Sequence, residues 1–165
     1  MSKEVKRTDW SRFLKRFSAK NRYRPIEVSI TNSNSHHEES SLKPAPFLGV
    51  AISKNGRLID GVQVISGKWD PEKVTEPVLT VKDPDRMLVE TDGDGRDACL
   101  RIRAKDGSET CLNLTGETQE WQADVWVEKV AYAIYQRRGG QPGRHTGDWL
   151  EAEQKVRQAE MELAP

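Results

Sequence analysis

The apolar positions change period twice along the chain. Trp10, Phe13, Leu14 and Phe17 fall at i, i+3, i+4 and i+7, which predicts one buried stripe of a helix running to about Lys20. Thr8 stands at the expected N-cap, with Asp9 in the first turn, where the helix dipole favours an anion. Pro25 ends the helix. Beyond it the period falls to two: Ile26, Val28 and Ile30 alternate with polar residues, as on a half-buried strand. Residues 32–46 are rich in Ser, Asn and His and read as a loop. Leu48, Val50 and Ile52 resume the alternation on one face. Asn55-Gly56 predicts a tight hairpin into Leu58–Ile65. Further short strands are expected at Val78–Val81 and Met87–Thr91, with a turn at Asp83-Pro84-Asp85.

The sharpest prediction is a hairpin from Ala98 to Leu114 around Lys105-Asp106-Gly107. A three-residue turn with Gly107 in the left-handed conformation pairs Leu100 with Leu112 and Ile102 with Thr110, which gathers the apolar side chains on one face. In that register Cys99 and Cys111 share a face on a diagonal, farther apart than a disulfide spans. From about Asp124 the helical period returns in Val127, Val130, Ala131, Ile134 and Tyr135. Gly139-Gly140 stops that helix. Thr146 is the expected cap of a last helix carrying Trp149, Ala152, Val156 and Leu163.

The reading is therefore α+β: an N-terminal helix packed on an antiparallel β-meander of about six strands, followed by a C-terminal αα-hairpin. The expected division is 1–115 for the helix and sheet, 116–123 for a linker and 124–165 for the hairpin. Trp121 and Trp126 lie outside the hairpin stripe and are expected to dock it onto the sheet or a second subunit. Trp149 is expected to pack on Tyr132 and Tyr135.

Charge refines this picture. The chain of 165 residues has 26 Lys/Arg and 26 Asp/Glu. Residues 1–24 nevertheless hold nine basic residues against two acidic ones, while the remainder is net acidic. A basic arm implies either self-complementarity or an anionic partner. No apolar run follows the charged start, and the longest, around Phe47–Ile52, is far short of the roughly 20 residues a spanning helix needs. A cytoplasmic protein without a membrane partner is expected, its two cysteines reduced.

Two resemblances add to this reading. Ala131-Tyr132, Tyr135, Gly139, Gly143 and the run Asp148-Trp149-Leu150-Glu151-Ala152-Glu153 resemble a short bacterial domain of unknown function, over about residues 124–160. Trp10, Phe13, Leu14, Phe17 and Ser18, then Leu48-Gly49-Val50, Asp83-Pro84 and Asp106-Gly107, resemble a second bacterial family of unassigned function, over about residues 8–115. Tyr132, Tyr135, Gly139, Asp148 and Trp149, with Trp10, Phe13 and Phe17, are thus structural signature positions. Neither resemblance implies an activity, a cofactor or a catalytic residue.

The search for chemistry is mostly negative. Gly107-Ser108 sits on a hairpin turn, where no nucleophile elbow forms. The glycines of 139–147 follow a helix and lack the lysine of a phosphate loop. Glu90-Thr91-Asp92-Gly93-Asp94-Gly95 has Arg101 where a calcium loop needs its bidentate Glu. His36-His37-Glu38-Glu39 has no second cluster to complete a metal site and reads as a solvated loop. No catalytic, cofactor-binding or metal residues are assigned. The remaining lead is the basic face of Arg12, Lys15, Arg16, Lys20 and Arg22. The first functional reading is a non-catalytic interaction module with a protein partner or a second copy. The second is a nucleic-acid-binding accessory protein using that basic face.

Overall fold

The computed structural model describes residues 1–32, 35–40, 45–67, 71–72, 75–116 and 122–163. Nine strands form one antiparallel sheet: β1 Ser2–Glu4, β2 Pro25–Asn32, β3 Ser35–Ser40, β4 Ala45–Asn55, β5 Leu58–Gly67, β6 Thr75–Lys82, β7 Pro84–Thr91, β8 Asp97–Ala104 and β9 Glu109–Leu114. Helix α1 spans Trp10–Asn21, α2 Gln122–Arg137 and α3 His145–Leu163.

The pairing order β1-β7-β8-β9-β2-β4-β5-β6 corrects the single meander. Two meanders, β4-β5-β6 and β7-β8-β9, are joined through β2. That strand pairs along its length with β9 and touches β4 only at Pro25↔Pro46 and Ile26↔Ala45. The far part of β2 carries β3 on the same edge. The nine strands exceed the six or so expected, and β1 and β3 are the two that the apolar pattern does not mark. Residues 35–40, read as loop, are ladder because β2 offers them an open edge; polar composition alone does not prevent pairing. The linker expected at 116–123 falls mostly on residues outside those described.

Only Asp83 separates β6 from β7, although they stand far apart in the pairing order. The sheet curls to allow this: Asp83 N–H donates to Asp60 O at 2.9 Å, and Lys105 N–H donates to Asp83 O at 3.0 Å. The curl encloses a core of Ile26, Val28, Phe47, Val62, Leu100 and Leu112, among others. Trp10, Leu14 and Phe17 of α1 enter the same core, and Phe17 meets Phe47 edge-on at 5.9 Å. Trp10 Nε1 donates to Val5 O at 2.9 Å, which satisfies the indole N–H on burial. A 3-10 turn, Arg7–Asp9, precedes α1, so Thr8 does not cap it; Asp9 pairs with Arg12 instead, at 2.7 Å.

The β8–β9 register is the expected one, with Leu100↔Leu112, Ile102↔Thr110 and Arg103↔Glu109. Gly107 has φ +86°, and Ala104 N–H donates to Ser108 O across the three-residue turn. Strand β4 departs from simple alternation. Phe47 pairs with Ser66 and Gly49 with Ile65, so Leu48 is the extra residue of a bulge. Phe47 and Val50 point into the sheet core, while Leu48 joins a second cluster with Trp126, Val130, Ala152 and Val156. The expected common face for Leu48 and Val50 is thus broken by the bulge.

That second cluster holds α2 and α3 against β4 and β5. Trp126 is fully buried, with its ring 6.2 Å from that of Tyr23. The inward stripe of α3 is Asp148, Ala152, Val156 and Ala159. Trp149 lies about 100° round the helix from Asp148 and is 39% exposed. Its expected packing on Tyr132 and Tyr135 gives way to a Tyr132–Tyr135 stack at 6.1 Å, with Tyr132 largely in solvent. Helix α3 begins at His145, so Thr146 is inside it and does not cap it.

Candidate functional site

The basic residues of the N-terminal segment divide into two groups. The first closes the far end of α1. Asn21 Nδ2 donates to Asp97 Oδ2 at 2.8 Å and to Phe17 O at 3.0 Å. Arg24 Nη1 donates to Asn21 Oδ1 at 2.8 Å and to Asp97 O at 2.7 Å, and its Nε donates to Gly116 O at 3.1 Å. Lys20 Nζ lies 3.2 Å from Asp97 Oδ2. Asn21, Arg24 and Asp97 are all buried. This network ties α1 to β8 and to the chain leaving β9. Arg22 faces α3, where its charge opposes the upward push of burial on the Glu160 carboxyl. Lys20 and Arg22, expected on the interaction face, are thereby engaged within the molecule.

The second group is open. Arg12, Lys15 and Arg16 share one exposed face of α1 and line a shallow depression with Thr8, Asp9 and Ser11. A cleft of about 380 Å³ adjoins it, between α1 and β1. Val5, Phe13 and Val89 form its apolar floor, and Lys3, Lys6, Arg12 and Arg16 its rim. Two acids also line it. Glu4 is held by Arg86 through a fork at 2.9 and 2.8 Å, which lowers its pKa. Asp9 is held by Arg12 at 2.7 Å. Among the described residues, Lys3, Lys6 and Arg16 have no carboxylate partner.

Sequence reading found Arg12, Lys15 and Arg16 but not Lys3, Lys6 or Val5. The available signal was the alternation Ser2-Lys3-Glu4-Val5-Lys6, too short to register as a strand. Trp126 is placed between the hairpin and Tyr23; Trp121 lies outside the described residues. Trp10, Phe13 and Phe17 sit along α1 as expected, and Ser18 joins them to β4. Val50 N–H donates to Ser18 Oγ at 2.9 Å, and a Cβ on Gly49 would stand 3.4 Å from that oxygen.

The cysteines lie on the outer face of β8–β9, unbridged. The Cys99 thiol is buried and its pKa is pushed up, first by its hydrogen bond to Cys111 and then by burial. The Cys111 thiol is pushed down by the same hydrogen bond, helped by the Arg101 guanidinium. Arg101 is itself spanned by Glu90 at 2.7 Å and Glu109 at 2.8 Å.

At the tip of the hairpin, Gly139 and Gly140 have φ +86° and +68°, values open to glycine. Tyr135 lies beneath the Arg138 guanidinium at 5.3 Å and beside His145 at 6.0 Å. Arg138 clasps Asp148 and also reaches Gln141 O.

This tip lies within the part of the chain that matches a known family. Residues 124–158 match the model of a family described as protein of unknown function, DUF2934. No curated protein and no solved structure matches the chain. Within the DUF2934 segment, Tyr135, Gly139 and Asp148 shape the interhelical turn, and Trp126 and Val130 meet the sheet.

Proposed function

We propose that the chain is a non-catalytic binding module of the bacterial cytosol that engages an anionic partner through the α1/β1 cleft. The observation that carries this reading is the convergence of Lys3, Lys6, Arg12 and Arg16 on an apolar floor. Such a surface rewards a ligand that brings both negative charge and buried area. The buried polar groups at the other end of α1 pair with one another and with backbone, which supports a structural role for them.

A second reading, nucleic acid, is favoured by the i, i+3, i+4 spacing of Arg12, Lys15 and Arg16, which presents three cations on one open face. Fluorescence anisotropy with labelled acidic peptides and with single-stranded and duplex oligonucleotides, at low and moderate salt, tests both. Binding of an acidic probe, abolished in the double variant Arg12→Glu/Arg16→Glu, is the expected result. Oligonucleotide binding with a steep salt slope selects the second reading. Indifference of every anionic probe to the double variant overturns both.

A further inference from the structure

Resting on that reading, we infer that the cleft takes an extended acidic polypeptide segment with alternating apolar residues, which pairs with the outer edge of β1. The first observation is the phase of the β1–β7 ladder. Val5 N–H donates to Met87 O at 2.9 Å, and Thr91 N–H donates to Met1 O at 2.9 Å. With Lys3 opposite Val89, residues 1, 3 and 5 turn their backbone groups toward β7. Ser2 and Glu4 are the intervening pairs, whose N–H and C=O groups point away from the partner strand. Strand β1 ends the pairing order, so among the described residues no strand covers that edge. An uncovered edge is a template for strand addition.

The second observation is what borders the edge. Glu4 and Lys6 line the cleft together with α1, so a segment added along β1 runs between strand and helix. In an extended segment every second side chain faces one way. Lys3, Val5 and Val89 share one face of the ladder, so one set meets that mixed basic and apolar face beside Phe13 of α1, and the other lies on the side of Glu4 and Arg86. Backbone groups then supply affinity, and the floor and rim supply selectivity.

A polypeptide fits these features better than a nucleic acid. The floor is two valines and one phenylalanine, and the Phe13 ring is already tilted against Phe17 at 5.7 Å. That leaves no stacking platform for successive bases. The outward row of alternating donors and acceptors on β1 matches a peptide backbone and has no counterpart in phosphodiester. The charge also complements: both acids at the cleft are held by arginines, whereas Lys3, Lys6 and Arg16 are open.

The test uses the full chain and a labelled short peptide alternating Glu and Val, followed by fluorescence anisotropy. Comparison probes are a poly-Glu peptide of equal charge and a single-stranded oligonucleotide. Two variants separate backbone pairing from charge. Glu4→Ala removes the Arg86 ion pair but keeps the outward N–H. Glu4→Pro removes both, at an edge position where the β7 ladder does not use that N–H. The Glu–Val peptide is expected to bind at least about fivefold more tightly than poly-Glu, and Glu4→Pro to weaken it about fivefold relative to Glu4→Ala. Amide exchange in the unmodified protein supplies an independent reading: the Glu4 N–H is expected to slow when the Glu–Val peptide is added. Equal binding of the two peptides with unchanged Glu4 exchange overturns strand pairing and leaves the basic binding face standing. Binding of the oligonucleotide alone replaces the polypeptide with a nucleic acid. If no anionic probe binds, the binding-face reading fails with it.

Discussion

Arg138, at the end of α2, closes a two-point clasp on Asp148 in the first turn of α3, with Nε 2.9 Å from Oδ1 and Nη2 2.6 Å from Oδ2. The pair spans a turn built from three glycines at positive φ and fixes the angle at which the second helix returns. A fork of this kind adds geometric specificity that a single contact lacks. It also explains why the inward stripe of α3 starts from a carboxylate.

The clasp sets a pH dependence. The Arg138 guanidinium holds the Asp148 carboxyl below its ordinary value of 3.8. Stability from this pair is therefore fully present above that value and is lost as pH falls through the lower, folded-state value. Asp148→Asn is expected to weaken the hairpin at neutral pH and to flatten this part of the acid limb. Helicity and proteolysis near Gly140, followed from pH 7 to pH 2, check both.

Trp126→Ala is expected to cost about 3–5 kcal/mol, the range for truncating a large buried aromatic. Trp149→Ala should cost less than Trp126→Ala, since that residue is 39% exposed where Trp126 is fully buried. Chemical denaturation of the two variants side by side decides the matter. A larger loss for Trp149 would contradict the observed stripe of α3.

Truncating Asp97 removes the carboxylate that accepts from buried Asn21 Nδ2, while Arg24 keeps the backbone carbonyl of residue 97. Asp97→Ala is expected to destabilise the protein by about 1–3 kcal/mol, the range for leaving a buried polar group short of a partner. Lys20→Ala should change stability by less than about 1 kcal/mol, because its amine is largely in solvent. Thermal melts at two salt concentrations separate them, the Lys20 effect being the one that salt erases.

Thiol chemistry should distinguish the two cysteines. Cys111 is more open, and its thiolate is favoured by the Cys99 hydrogen bond and by Arg101. Iodoacetamide at neutral pH is expected to label Cys111 first, with Cys99 reacting only on unfolding. Peptide mapping by mass spectrometry after timed quenching reads the order. Two thiols should titrate in denaturant without reductant.

Where one regular period met one face, the sequence was legible. The α1 stripe and the Ala98–Leu114 hairpin follow from spacing alone, because a one-residue slip would invert the apolar face. Leu48 was misplaced because a bulge changes the parity of a strand without leaving a mark in composition. Trp149 faces outward because the inward position of α3 belongs to Asp148, an acid with an arginine partner, which apolar spacing does not reveal. Strand β3 was missed because its ladder depends on an edge offered by β2, a long-range fact. The candidate site was half legible. The helix cations declare themselves by spacing, whereas Lys3, Lys6 and the apolar floor come together only when β1 pairs with β7, far along the chain.

The bulge at Leu48 has a bearing on how the protein is made. Synthesis delivers β4 and β5 well before α2 and α3, and domains begin to fold as they emerge. Until the last two helices arrive, Leu48, Ile65 and Tyr23 form an uncovered greasy spot on an otherwise finished sheet. Docking of α2 and α3 is expected to close that spot and with it the interval in which the nascent chain exposes apolar surface. A chain truncated after Gly116 should accordingly bind a hydrophobic dye that the full-length protein ignores.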